Sequence, residues 1–178
     1  RILTTTEINP KIEALDSVLQ REFKTTDHII QSEAFLHYDV AAVAGIDSTS
    51  LERRVKEGLL RIDGIADVYF RRELASANAQ PHPYLGYYHR GYYPPRGNDF
   101  IIRPCEYCLL TTSPTGTSHG TPYRYDTHVP ILFWGLGLKA QQVARAVHTV
   151  DIAPTIARVL GIEAPATVDG KPLKEIME

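Results

Sequence analysis

Apolar residues recur three or four positions apart at Ile12, Leu15, Leu19 and Phe23. That spacing predicts an amphipathic helix between Pro10 and Lys24, with Thr5 or Thr6 capping the turn before it. The pattern then changes. From His28 to Tyr38, and on through Asp39 to Ala44, β-branched and aromatic residues predict one or two strands, with imperfect alternation. Thr49-Ser50-Leu51-Glu52 reads as a capping box, and Leu51, Val55, Leu59 and Ile62 extend it into a second helix that Gly64 stops. Ile65 to Phe70 predicts a strand, Tyr84 to Tyr93 a short helix, and Asp99 to Leu110 another strand. The order over residues 27–112 is that of a small α+β layer, a sheet with helices on one face.

Thr111 to Ser118 is a loop-like linker of Thr, Ser, Pro and Gly. Beyond it, Val129 to Trp134 is a continuous apolar run, as expected for a strand buried on both faces, and Gly135-Leu136-Gly137 turns the chain. Asp151 is placed to cap a helix with Pro154 in its first turn. Ile152, Ile156, Val159 and Leu160 are expected to bury one side of it, and Gly161 ends it. There is no internal repeat.

Composition narrows the possibilities. The chain has 178 residues, 43% hydrophobic and 22% charged, with a formal net charge of −2 and no long run of one sign. These are the proportions of a globular chain with a real core. They argue against nucleic-acid and anionic-membrane partners, which need a basic face. No stretch approaches the roughly 18 apolar residues of a membrane span. The sequence opens at Arg1 without Met or signal peptide, so the expectation is a processed chain or a piece of something longer.

Few residues offer chemistry. Cys105 and Cys108, the only cysteines, stand as C-x-x-C. Without a second pair they cannot form a four-thiolate site, which leaves structural cysteines, a redox or disulfide pair, or metal binding. His119 sits in a loop of small residues, where an imidazole can reach a metal. His128 precedes the apolar run and reads first as a ring bonded to backbone. Asp126 is placed either to pair with His128 or to bond within its loop. Tyr84, Tyr87, Tyr88, Tyr92 and Tyr93, with His89, Arg90 and Arg96, form a cluster suited to packing or to stacking bases or sugars.

Three strings carry a resemblance. They are Thr117-Ser118-His119-Gly120; Tyr125-Asp126-Thr127-His128-Val129-Pro130-Ile131-Leu132-Phe133-Trp134-Gly135; and His148-Thr149-Val150-Asp151-Ile152-Ala153-Pro154-Thr155-Ile156, with Gly170-Lys171-Pro172 after them. In this order they resemble the C-terminal end of the alkaline phosphatase superfamily, in the branch of type I phosphodiesterases, nucleotide pyrophosphatases and zinc-dependent bacterial alkaline phosphatases. The likeness is dense over residues 111–178 and looser over residues 1–110.

The resemblance implies an α/β fold: the C-terminal part of an alkaline-phosphatase-like sandwich, helices on a mixed sheet, with an inserted α+β layer. It divides the chain into an N-terminal helix and connection (1–26), the inserted layer (27–112) and a segment of the core (113–178). It also implies two zinc ions about 4 Å apart that clamp a phosphoryl group, and a Thr or Ser nucleophile that forms a covalent phosphoenzyme. The family's last zinc ligand maps to His119, whereas His128 maps to no ligand. The nucleophile, the first Asp ligand, the Asp-x-x-x-His pair and the Asp-His-Gly triplet have no counterpart here. Asp27-His28-Ile29 matches the first two letters of the triplet by coincidence.

A catalytic zinc needs about three protein ligands, and His119 is one. The chain is therefore expected to bind zinc weakly or not at all, and to be inactive alone. It would act with the N-terminal remainder of a periplasmic or secreted hydrolase of phosphate mono- or diesters. The apolar run, left without its sheet, would favour self-association. Two other readings stand beside this one: a non-catalytic binding or regulatory module derived from the fold, and a surface domain using the tyrosine cluster for carbohydrate or nucleic acid.

Overall fold

In the computed structural model, residues 2–31, 34–76, 82–113, 115–135 and 137–176 are described. Residues 32 and 33 of the expected strands, 114 of the linker and 136 of the glycine turn lie outside them. The chain divides into two units, Arg1–Thr127 and His128–Glu178.

The first unit opens with strand β1 (Ile2–Thr4) and helix α1 (Thr5–Phe23). The helix begins five residues before the expected Pro10. Thr4 is its cap, and its backbone N–H donates to the Glu7 carboxylate at 2.9 Å. Pro10 forfeits one helical hydrogen bond, and the buried Ile8 side chain holds the turn before it. The helix ends at Lys24 in the left-handed region, φ 55°, where the Thr25 N–H returns to the Gln20 carbonyl.

Strands β2 (Ile30–Gln31) and β3 (Phe35–Leu36) pair antiparallel. Tyr38 onward is helix α2 (Tyr38–Val43), not strand. Helix α3 (Ser48–Leu59) follows, but its cap is Asp47 in place of Thr49. The Asp47 carboxylate accepts the Ser50 N–H at 3.0 Å and the Ser50 hydroxyl at 2.7 Å. Glu52, expected to close the box, is buried and bound by Arg72 at 2.8 Å and the Tyr38 hydroxyl at 3.2 Å. The apolar stripe is as read: Leu51, Val55 and Leu59 are fully buried. They face Leu19 and Phe23 of α1 and, on the other side, Val68 and Phe70 of strand β4 (Ile65–Phe70).

Strand β4 pairs antiparallel with β5 (Phe100–Pro104), with Val68 opposite Ile102 and Phe70 opposite Phe100. Between them lie α4 (Arg71–Ala75) and α5 (Leu85–Gly91). The single strand expected over Asp99 to Leu110 is broken at Cys105–Cys108. There Tyr107 turns left-handed, φ 58°, and the chain restarts as β6 (Leu109–Thr111). Strand β6 leaves β5's partner and pairs in parallel with β1, Ile2 opposite Leu109 and Thr4 opposite Thr111. The described strands thus form three two-stranded sheets in place of one continuous layer.

The second unit lacks the expected strand at Val129 to Trp134, where the backbone is irregular. A strand exists by pairing, and no described strand pairs with this run. Leu132 is 85% and Trp134 100% exposed, while Ile131 and Phe133, alternating with them, are half-buried. A 3₁₀ turn at Thr149–Asp151 leads into helix α7 (Ile152–Val159), which ends at Gly161, φ 68°. Asp151 acts differently from a simple cap. Its carboxylate reaches back to the His148 N–H at 3.0 Å and across to the Lys171 N–H at 2.8 Å. Thr155, fully buried, donates to the Asp151 carbonyl at 2.6 Å and accepts the Leu173 N–H at 2.9 Å. These bonds tie the chain after Gly170 to the start of α7.

Candidate functional site

Strands β5 and β6 and the segment after them build the surroundings of His119. Arg103, on β5, is the anchor. Its guanidinium donates to the Tyr69 hydroxyl at 3.1 Å and to the Tyr123 hydroxyl at 2.7 Å, and lies over the Tyr84 ring at 4.7 Å. The Tyr123 hydroxyl in turn donates to the Pro104 carbonyl at 2.7 Å. Tyr123 is buried, so the chain after His119 is nailed to β5 by one aromatic ring. Asp67, Lys56 and His82 surround the same cluster, with Lys56 Nζ 3.1 Å and His82 Nε2 3.3 Å from the Asp67 carboxylate. Burial raises the Asp67 carboxyl, but the Val68 N–H and Lys56 outweigh it and hold it below the ordinary range.

From that anchor the loop folds back on itself. Helix α6 (Arg124–Thr127) carries Asp126, whose carboxylate accepts the Thr121 N–H at 2.9 Å and the Thr121 hydroxyl at 2.6 Å. Those Thr121 bonds, with a smaller pull from the His119 imidazole, keep Asp126 below the usual carboxylate range. Gly120 stands at φ 105°, a conformation L side chains rarely adopt, and it lets the chain reverse between His119 and Thr121. His119 stands exposed in this loop, near enough for its imidazole to act on the Asp126 carboxylate.

His119 and Asp126 lie at the rim of a cavity of about 480 Å³. Ile101, Ile102 and Pro104 of β5 form one wall, with Leu109 and Leu110 of β6. Tyr107, Tyr125 and Tyr88 supply the aromatic part, and burial pushes the Tyr88 phenol up to about 12, so it stays neutral. Tyr107 and Tyr125 stack at 5.0 Å and 23°, and the Tyr107 N–H donates to the Tyr125 hydroxyl at 3.1 Å. The turn that carries Tyr107 is closed by a Cys105–Cys108 disulfide. Of the readings open for the cysteines, the structure takes the disulfide.

Of the residues singled out in the sequence, His119 lies at the cavity and His128 lies in the second unit, exposed. Asp126 takes the local role, bonding Thr121. His28 pairs with buried Asp16 at 2.6 Å, and the other Asp16 oxygen accepts the Ile29 and Ile30 N–H groups at 2.8 Å. The tyrosine cluster mostly packs. Tyr88 and Tyr92 lie against Leu74 and Leu85, and Arg90 and Arg96 cover the exposed Tyr87 and Tyr93 rings. The Arg103–Tyr123 anchor went unread, its partners lying 20 residues apart in sequence with no local pattern between them.

The donor set decides what a metal would find here. Among the described residues no three His, Cys, Asp or Glu side chains converge to hold an ion. His119 offers one imidazole, and Asp126 already serves Thr121. A zinc site of about three protein ligands does not fit these residues by themselves.

No protein-family model matches the chain. It is 30% identical over 148 residues, 82% of its length, to a Myroides odoratus protein named calcium-transporting ATPase. It is 35% identical over 97 residues to alkaline phosphatase PafA of Elizabethkingia meningoseptica, and 26% over 166 residues to alkaline phosphatase PhoV of Synechococcus elongatus. The match spans only 27%, 18% and 30% of those relatives' own lengths. Among solved structures, wild-type PafA superposes over 95% of this chain and 33% of its own, with a TM-score of 0.78 and 25% identity.

Proposed function

We propose, from a chain that forms part of an alkaline phosphatase superfamily domain, that it contributes the C-terminal portion of a zinc-dependent phosphate-ester hydrolase. In this reading His119 is one zinc ligand, and the remaining donors and the nucleophile come from other segments of the intact protein. Zinc in such a site polarises a phosphoryl oxygen and acidifies bound water. This chain's own part is positional: Gly120 turns the loop, the Thr121–Asp126 bonds close it, and Tyr123 pins it to β5. The observation that carries the reading is an exposed imidazole, held in a closed loop at the rim of a cavity, within a fold matched by PafA.

The proposed division is a helical connection (1–26), an inserted layer (27–112) and a core segment (113–178), with β1 of the connection paired in parallel with β6 at the end of the layer. The Cys105–Cys108 bond suits an oxidising compartment, periplasmic or extracellular. Phosphate mono- and diesters are the proposed substrates.

The experiment is His119→Ala in the full-length protein. Bound zinc should fall from about two ions to about one, and nitrophenyl phosphate turnover by orders of magnitude. The 178-residue chain alone should show no turnover in zinc-containing buffer. Zinc content and turnover both unchanged in the variant would remove His119 from the site and leave the non-catalytic module as the better reading.

A further inference from the structure

The turn between β5 and β6 carries a feature that the phosphate-ester reading leaves unused. Cys105 and Cys108 are bonded to each other across Glu106 and Tyr107 alone. A ring that short removes little chain entropy from the unfolded protein, so its effect falls on the turn itself. Tyr107 stands there at φ 58°, a left-handed conformation that costs a bulky residue energy and persists only where its surroundings enforce it. The two cysteines differ in setting. Cys108 is 6% exposed and packs with Leu3 and Ile8, whereas Cys105 is only half-buried. An accessible cysteine bonded to a sheltered one is open to attack by a thiolate from solution.

We infer that the Cys105–Cys108 turn is a redox-modification site for a dithiol reductant, and that opening it loosens the loop closed by Thr121 and Asp126. The chemistry is thiol exchange. A reductant thiolate attacks the Cys105 sulfur, the Cys105–Cys108 bond breaks, and Cys108 leaves as a thiolate that takes a proton. The reductant's second thiolate then attacks the mixed disulfide and releases Cys105, which is protonated in turn. Two electrons and two protons pass to the protein, and the reductant ends as its own disulfide. Contacts carry the change onward. Tyr107 donates its N–H to the Tyr125 hydroxyl at 3.1 Å and stacks on the Tyr125 ring at 5.0 Å. Tyr125 precedes Asp126 in α6, and the Asp126 carboxylate holds the Thr121 N–H at 2.9 Å. Freed from its ring, Tyr107 leaves the left-handed region and gives up both contacts to Tyr125. Strand β5 is spared, since the Cys105 N–H stays on the Gly64 carbonyl at 2.9 Å. The device works whether or not His119 binds a metal.

The test uses the intact, folded protein with dithiothreitol as the reductant. Alkylation and mass spectrometry should find both Cys105 and Cys108 as thiols. Amide exchange should quicken about tenfold at Tyr107 and Thr121, while the amides of β4 and β5 keep their rates. Removing the dithiol and reoxidising should restore slow exchange. The double variant Cys105→Ser, Cys108→Ser should exchange like the reduced protein and ignore dithiothreitol, which separates this pair from any other disulfide. Reversible reduction of the unsubstituted protein decides the matter even where the variant does not fold. A bond that dithiothreitol opens only after unfolding makes the pair a fixed staple and overturns the inference. Unchanged exchange at Thr121 with both thiols alkylated, equal quickening at β4 and β5, or a double variant that still responds to the dithiol overturns it as well.

Discussion

Gly120 is the residue on which the His119 loop turns, and its effect can be isolated. A Cβ added there would meet nothing within 4 Å, so no packing changes on substitution. Only the backbone conformation at φ 105° resists a side chain, at roughly 1–2 kcal/mol. Gly120→Ala is therefore expected to lower stability by about that amount in urea unfolding, and to reduce zinc bound by the intact protein. Glu175, in the second unit, gives an independent check at the same scale. Arg145 grips both of its carboxylate oxygens, at 2.7 and 2.8 Å, and holds the carboxyl down at about 2. Because the folded value lies below the unfolded one, near 4.3 for glutamate, the pair contributes above the unfolded value. That contribution is lost as pH falls through about 2. A carbon-13 NMR titration should show a midpoint near 2, returning to the ordinary range in Arg145→Ala. The open loop around His119 was legible from sequence because its composition is local. Asp16, binding His28 and two backbone N–H groups more than ten positions away, was not.

Elements were legible where periodicity is strong and lost where pairing decides. Helix α3 follows its apolar stripe and β4 its β-branched run, whereas α7 forms where expected but buries Pro154 and Thr155 and leaves Ile156, Val159 and Leu160 exposed. The caps shifted, from Thr49 to Asp47 and from Thr5 or Thr6 to Thr4, since several neighbouring Ser, Thr and Asp side chains compete for the same free N–H groups. The apolar run at Val129 to Trp134 had strand composition but no strand beside it, and composition does not supply a ladder. Gly170 shows how closely the second unit's pieces approach. A Cβ at this position would run into the Val150 carbonyl and the Asp151 N–H. Gly170→Ala should push the segment away and break the bonds from Lys171 to Asp151 and from Leu173 to Thr155. Leaving the buried Thr155 hydroxyl without the Leu173 N–H should destabilise the unit by about 1–3 kcal/mol. Thermal unfolding and faster amide exchange at Lys171 and Leu173 would report it; wild-type exchange there would contradict the account.

The whole chain carries a third of a PafA-like fold, and its surface shows it. Val129, Leu132, Trp134, Val159, Leu160 and Ile162 of the second unit are all more than half exposed, an apolar load that water does not favour. Trp134, the only tryptophan, is fully exposed, which makes it a reporter. In the isolated chain its fluorescence should be red-shifted and open to acrylamide, and should move to the blue as protein concentration rises and chains associate. Sedimentation that stays monomeric at high concentration, with unchanged emission, would count against that association. The family was readable from three short strings because they hold loop and cap geometry. The long-range frame, in which Arg103 of β5 holds Tyr123 and Asp16 of α1 holds the start of β2, depends on contacts no single stretch encodes.

The side-by-side course of β1 and β6 has an evolutionary corollary. Thr4 and Leu109 lie within two residues of each other along paired strands, so the segment between them starts and finishes at one place. A layer attached that way can be gained, trimmed or exchanged in a single recombination event, with a few residues of bridge healing the junction. Relatives are then expected to differ most in that layer, while the paired strands β1 and β6 keep their register.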